Sequence, residues 1–163
     1  MNVERLEKLA DFLDTVEGAD YGGVNVLVNG EEYIFDLSYF VYTLPPIEPR
    51  QGATGLTICD SFVAQGVRSC GTTACAIGLA LEAKLFEDEG FYKHGPVGQL
   101  CLGEELPAYK KETGSFAAQI FFDITHTEFT DMFSETGYHY REIYSPTPKM
   151  VAARIRQHIT GDI

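Results

Sequence analysis

The stretch from Ser69 to Leu81 constrains the fold of this chain more than any other. Its thirteen residues carry no charge, although 22% of the residues in the whole chain are charged. A helix that is apolar on every side is normally buried, so we predict a buried central helix over residues 73–86. The stretch is too short to span a bilayer, which needs about 20 apolar residues. We therefore expect the other elements to pack around this helix.

The first quarter of the chain predicts one helix and one hairpin. Apolar residues recur at helical spacing over residues 2–17, and Asn2 is suited to cap that helix. Asn29-Gly30 between two apolar runs is typical of a β-hairpin, which we place near residues 24–35. Residues 36–42 either extend the second strand or begin a short helix. The predicted fold is α+β with helices predominating, in which three or four helices pack on the central one.

Helix signals are also clear in the last third of the chain. We predict a helix over residues 116–122 that Ser115 caps, with Ile120 among its buried residues. Thr125-His126-Thr127-Glu128 has the spacing of a capping box and opens a second helix through Phe133. Thr147-Pro148 supplies an N-cap and a proline at the first helical position, and the last helix then runs to about Ile159.

Two segments rich in proline, glycine and polar residues separate these elements. Residues 43–54 contain three prolines and are interpreted as a loop, followed by a short apolar run over residues 56–63. Residues 87–114 are the least regular part of the chain. Within them, the predicted loop 90–102 carries Tyr92, Lys93 and His94, a mixture of aromatic and basic residues that suits a small-ligand pocket.

Composition and charge limit the classes of protein to which this chain can belong. With 163 residues, of which 45% are hydrophobic, the chain is expected to form a single globular domain over residues 1–163. Its formal net charge is −12, which opposes binding to nucleic acid and to anionic membranes and favours a basic protein partner. The sequence leaves the oligomeric state open.

The sequence contains no secretory leader, so we expect a cytoplasmic protein whose four cysteines are reduced. We find neither a phosphate-binding loop nor a dinucleotide-binding or metalloprotease motif, and we predict no cofactor and no bound metal. His126 and His158 are interpreted as parts of the local structure rather than as ligands.

One segment suggests thiol chemistry. Cys70 stands just before the predicted central helix, where the helix dipole and free N–H groups favour a thiolate. Residues 65–76 resemble the nucleophile region of papain-like cysteine peptidases, and more closely that of the bacteriocin-processing type. The resemblance implies Cys70 as nucleophile and Gln65 as a donor to the oxyanion. His139 is the best-positioned histidine for the general base and His94 the second.

Patches along most of the chain resemble a family of small proteins encoded by phages and bacterial genomes, for which we know of no established activity. The patches include Arg5–Ala10, Phe35–Ser38, Cys70–Gly78, Phe121–Ile124 and Thr147–Ile155. This resemblance implies a mobile-element origin and a mostly helical core. Residues 43–68 and 87–114 lie outside it.

Three functions follow from these observations. The first is a non-enzymatic cytoplasmic binding protein, such as a phage accessory factor, that docks on a host protein through acidic surface. The second is a small cysteine hydrolase that uses Cys70, Gln65 and His139. The third is a small-ligand binder that uses the segment 90–102. The net charge of −12, the missing catalytic motif and the mostly structural roles of the candidate residues favour the first.

Overall fold

The computed structural model describes residues 1–18, 25–37, 41–43, 72–97, 104–141, 143 and 146–162. The helices described are α1 (Val3–Thr15), α2 (Ala76–Glu82), α3 (Gly114–Phe122), α4 (His126–Phe133), α5 (Glu135–His139) and α6 (Pro148–Thr160), and a 3₁₀ turn spans Glu87–Glu89. The strands described are β1 (Asn25–Val28), β2 (Glu31–Phe35), β3 (Val41–Thr43), β4 (Thr72–Ala74), β5 (Phe91–Val97), β6 (Glu104–Tyr109) and β7 (Glu112–Thr113). Helical residues outnumber strand residues, so the fold is α+β with helices predominating, as the sequence predicts.

The described strands form one seven-stranded sheet in the order β1-β2-β4-β3-β6-β5, with β7 beside β6. β2 and β4 run parallel, and the other paired strands run antiparallel. The β1–β2 hairpin turns at Asn29 and Gly30, whose φ angles of 53° and 83° are the left-handed values that such a turn requires. The predicted hairpin is therefore confirmed, and the sheet extends well beyond it.

The central helix is buried, but it is shorter than the sequence predicts. Thr72, Thr73 and Ala74 belong to β4, which pairs with β2 on one side and β3 on the other. Cys75 is the N-cap of α2, and its Sγ accepts a hydrogen bond from the N–H of Gly78 at 3.4 Å. The predicted start at residue 73 is wrong because β-branched threonines favour a paired strand there. The helix also ends at Glu82 rather than at residue 86.

The neighbours of α2 come from the sheet as well as from other helices. In the described part of the chain α2 contacts β4, β5, β6 and α1, whereas α1 packs chiefly along α6. The sequence predicts that helices pack around the central helix, but most of the contacts made by α2 are with strands. Beside α2, Phe86, Phe91, Phe121 and Phe122 form an aromatic cluster with ring centroids 4.3 to 6.4 Å apart. Burial of each ring contributes about 1.5–3 kcal/mol.

Three of the predicted helix caps are confirmed. Asn2 Oδ1 accepts from the Arg5 N–H at 3.1 Å and begins α1. Thr125 and Glu128 form the complete capping box of α4. Thr147 Oγ1 accepts from the Met150 N–H at 3.2 Å, and Pro148 is the first residue of α6. Each cap joins residues that lie three apart in the chain, which is why the sequence could predict them.

The predicted start of α3 and the burial of Ile120 are wrong. α3 begins at Gly114 with Thr113 as its N-cap, and no side chain caps it. Ile120 is 37% exposed and Phe116 is 54% exposed. These two residues are four apart and therefore share one helix face. That face is exposed because the opposite face, with Phe121 and Phe122, enters the aromatic cluster.

Other predictions fall partly or wholly outside the described residues. The predicted loop over residues 43–54 lies outside the described residues except for Thr43. The apolar run over residues 56–63 lies wholly outside them. β2 ends at Phe35, just before the segment 36–42, and a separate strand, β3, begins at Val41. β2 therefore does not extend through this segment. Among the helices described, none has the length and apolar character needed to cross a membrane.

Candidate binding cleft

The three residues predicted for ligand binding lie on a strand. Tyr92, Lys93 and His94 are in β5 and pair with Ala108, Pro107 and Leu106 of β6. The prediction of a loop here is wrong, because the paired residues lie 12 to 16 positions away in the chain and no local pattern reveals them. The structure brings two of the three, Tyr92 and Lys93, to one cleft.

Tyr92 and Lys93 line a cleft of about 410 Å³ between the end of α2 and β5. This volume falls within the roughly 300–1,000 Å³ that is typical of small-molecule sites. His94 is exposed and is not among the lining residues. The other residues that line the cleft are Leu81, Glu82, Lys84, Glu87 and Phe91.

Lys93 lies at the centre of a polar network that joins four elements. Its Nζ donates to Glu82 Oε1 at 2.6 Å and approaches Glu105 Oε2 at 2.9 Å. The hydroxyl of Tyr33 donates to the second oxygen of Glu82 at 2.9 Å. Through these contacts β2, α2, β5 and β6 are held together at the edge of the cleft.

The pKa values in this network reflect the close carboxylates. Burial alone would lower the pKa of Lys93, but the hydrogen bonds to Glu82 and Glu105 outweigh it and raise that pKa above its ordinary value. Burial, the hydrogen bond to Glu82 and the nearby acidic charges raise the pKa of the Tyr33 phenol well above its ordinary value. Lys93 is therefore an ammonium ion and Tyr33 a neutral phenol at neutral pH.

This arrangement suits binding better than catalysis. A charged lysine is not a nucleophile, and the pKa of a useful general base lies near the working pH. Both carboxylates that contact Lys93 are engaged with it. The cleft instead offers fixed charges of both signs beside an aromatic ring, which can orient a polar ligand without reacting with it.

Of the three residues predicted for cysteine chemistry, only His139 lies in the described part of the chain. Cys70 and Gln65 lie outside the described residues. His139 is the last residue of the short helix α5 and is exposed. Cys75 is only 3% exposed, and its thiol serves as a helix cap.

Tyr33, Glu82 and Glu105 belong to the network, although the sequence did not point to them. They come from three separate elements, and the alternation of β2 indicates only that Tyr33 faces the core.

Among the described residues, no three side chains of His, Cys, Asp or Glu lie close enough together to hold a metal ion. Comparison of the chain with family models, with curated proteins and with solved structures finds no match in any of the three.

Proposed function

We propose that this protein is a non-enzymatic binding protein that docks on a basic partner through its acidic surface. The observation that carries the proposal is the outer face of α1. Glu4, Glu7, Asp11 and Asp14 are all exposed and recur at a spacing of three or four residues. Residues at this spacing form one stripe along a helix.

The basic side chains nearest to this stripe are already engaged. Arg5 Nε donates to Glu89 Oε2 at 2.7 Å, and Lys8 Nζ lies 3.5 Å from the other oxygen of Glu89. Arg156 of α6 contacts Asp11 at 2.8 Å and Asp14 at 2.7 Å. The C-terminal half of the stripe is therefore partly neutralised, and its N-terminal half, with Glu4 and Glu7, retains the negative charge.

The charge of the described surface agrees with this proposal. Exposed acidic side chains outnumber exposed basic ones, and they extend from α1 to the 3₁₀ turn, where Glu87 and Asp88 are exposed. A surface of one sign speeds association with a surface of the opposite sign and sets the choice of partner. The resemblance to phage-encoded proteins supports a cytoplasmic accessory factor whose partner is a basic host protein.

The proposal is tested by affinity capture from host lysate at low salt with two charge-matched double variants. Glu4→Gln with Glu7→Gln removes two charges from the stripe, whereas Glu31→Gln with Glu112→Gln removes two exposed charges elsewhere. We expect the first variant to lose the partner that the wild type captures and the second to retain it. Equal capture by both variants, or no reproducible partner for the wild type, contradicts the proposal.

A second candidate function is small-ligand binding in the cleft beside β5. It is favoured by one observation, the presence of Tyr92 and Lys93 in the lining of a cleft of suitable volume. Native mass spectrometry of freshly purified protein tests it. A bound small molecule that is retained by wild type and lost from Lys93→Met supports this function, and the absence of any adduct argues against it.

The cysteine hydrolase is the remaining alternative and depends on the reactivity of Cys70. The pH dependence of iodoacetamide labelling at Cys70 is its direct test. An apparent pKa well below the ordinary value of about 8.5 supports an activated thiolate. A Cys70 that labels only in the unfolded protein eliminates this alternative.

A further inference from the structure

A second cleft, of about 430 Å³, lies between the α5 segment and α6. Its polar lining includes Arg141, Arg154 and Gln157, and Ile143, Met150 and Ala153 contribute apolar surface. The cleft lies apart from β5 and plays no part in the proposed function. A cavity with an apolar wall and a few convergent polar groups is the usual form of a small-molecule site.

Three basic side chains converge on one carboxylate behind this cleft. Arg141 Nη1 donates to Asp131 Oδ1 at 2.9 Å, and Arg154 Nη2 donates to Asp131 Oδ2. His158 Nε2 lies 2.6 Å from Oδ2 as well. Two guanidinium groups therefore face one carboxylate, and the cluster is positive even when the imidazole is neutral. Among the described residues of a chain whose net charge is −12, this cluster is a local excess of positive charge.

Arg154 also has unused capacity to donate hydrogen bonds. Its side chain is 9% exposed, and Nη1 donates to Gln157 Oε1 at 3.0 Å. Its Nε is buried and has no hydrogen-bond partner among the described residues. Buried donors in proteins are almost always paired, so the unpaired Nε leaves Arg154, a residue that lines the cleft, with donor capacity that its described partners do not use.

We infer that this cleft binds a small molecule that carries a carboxylate on an apolar body. The planar guanidinium fork of arginine matches the two oxygens of a carboxylate. Arg141 is 41% exposed, so its guanidinium is accessible to a ligand that enters from solvent. The apolar body then lies against Met150, Ala153 and Ile143, which line the same cleft.

One lining residue opposes an anion. Asp162 lies in the same cleft, is exposed, and accepts a hydrogen bond from the Thr160 hydroxyl at 2.8 Å. Its charge is screened by solvent, but it still repels a carboxylate. Removal of the Asp162 charge and removal of the Arg141 charge should therefore change the affinity in opposite directions.

The experiment is an NMR titration of the ¹⁵N-labelled full chain with benzoate and, separately, with benzyl alcohol, its uncharged counterpart. We expect benzoate to shift the amides of residues 137–141 and 150–157 to saturation, and benzyl alcohol to bind far more weakly. Arg141→Gln should weaken benzoate binding about tenfold, since it removes a charge-assisted contact. Asp162→Asn should tighten it. Arg156→Gln, a surface arginine that contacts α1, should leave it unchanged.

Several results would overturn the inference. These are benzoate shifts that scatter over the surface without saturation, equal binding of benzoate and benzyl alcohol, or equal effects of Arg141→Gln and Arg156→Gln. The dispersion of the amide spectrum shows whether each variant is folded. If Arg141→Gln is not folded, Asp162→Asn decides, because a carboxylate ligand must bind more tightly when that negative charge is removed.

Discussion

Gly137 is the position at which one added methyl group has the most clearly defined consequence. A Cβ atom at this residue would lie 2.6 Å from the carbonyl oxygen of Asp131 and 2.7 Å from that of Thr130. Both oxygens belong to the backbone of α4, so no side-chain rotation relieves the contact. Overpacking typically costs about 1–3 kcal/mol and occasionally more. Two contacts with backbone atoms put this site at the upper end, at about 3–4 kcal/mol, and the better helix propensity of alanine offsets about 1 kcal/mol of it. We expect Gly137→Ala to destabilise the fold by about 2–3 kcal/mol.

Urea and thermal unfolding measure this loss. For a chain of this length, about 2 °C to 4 °C of Tm corresponds to 1 kcal/mol, so the expected drop is roughly 4–12 °C. Gly90 provides the control, because it has a φ of +79° but no atom within 4 Å of an added Cβ. Asparagine tolerates that left-handed conformation, so Gly90→Asn should be milder than Gly90→Ala. At Gly137 asparagine should be at least as harmful as alanine.

These variants separate steric contact from backbone conformation. If Gly137→Ala unfolds at the same urea concentration as the wild type, then α5 does not pack against the α4 carbonyl groups as described. If Gly137→Asn is tolerated better than Gly137→Ala, conformational preference rather than space limits this position.

Three further predictions concern charge and burial. Asp131→Asn leaves Arg154 without its carboxylate and should cost about 2–3 kcal/mol. Burial alone would raise the pKa of Asp131, but hydrogen bonds from His158, Arg141 and Arg154 outweigh it and lower that pKa. The stability that the Asp131 carboxylate contributes should therefore be complete above about pH 4 and be lost at lower pH. The urea midpoints of wild type and Asp131→Asn should converge in acid, and a constant difference would contradict this assignment. Burial raises the pKa of Tyr138, and burial together with the hydrogen bond to Glu82 raises the pKa of Tyr33. Absorbance titration should therefore find both phenols neutral past about pH 10. The stability that the neutral phenols contribute should fall as the pH rises further. Iodoacetamide should modify Cys75 only on unfolding, and native labelling at the rate of a free thiol would show that the cap of α2 is not closed.

The amino-acid sequence by itself determined the features that depend on neighbours in the chain. The caps at Asn2, Thr125 and Thr147 each join a side chain to the N–H three residues later. The Asn29-Gly30 turn depends on two residues that accept positive φ. The uncharged run over residues 76–81 is buried because no position in it offers a polar face to solvent.

Only the tertiary structure decided which distant segments meet. Residues 72–74 form a strand because β2 and β3 lie on either side of them, and residues 91–97 form one because β6 returns alongside. Tyr33 and Glu82 are 49 residues apart, and Asp131 and His158 are 27 apart. No local pattern encodes such pairs, since each residue alone fits an ordinary strand or helix position. They meet only because burial of the aromatic cluster and of α2 fixes the elements that carry them.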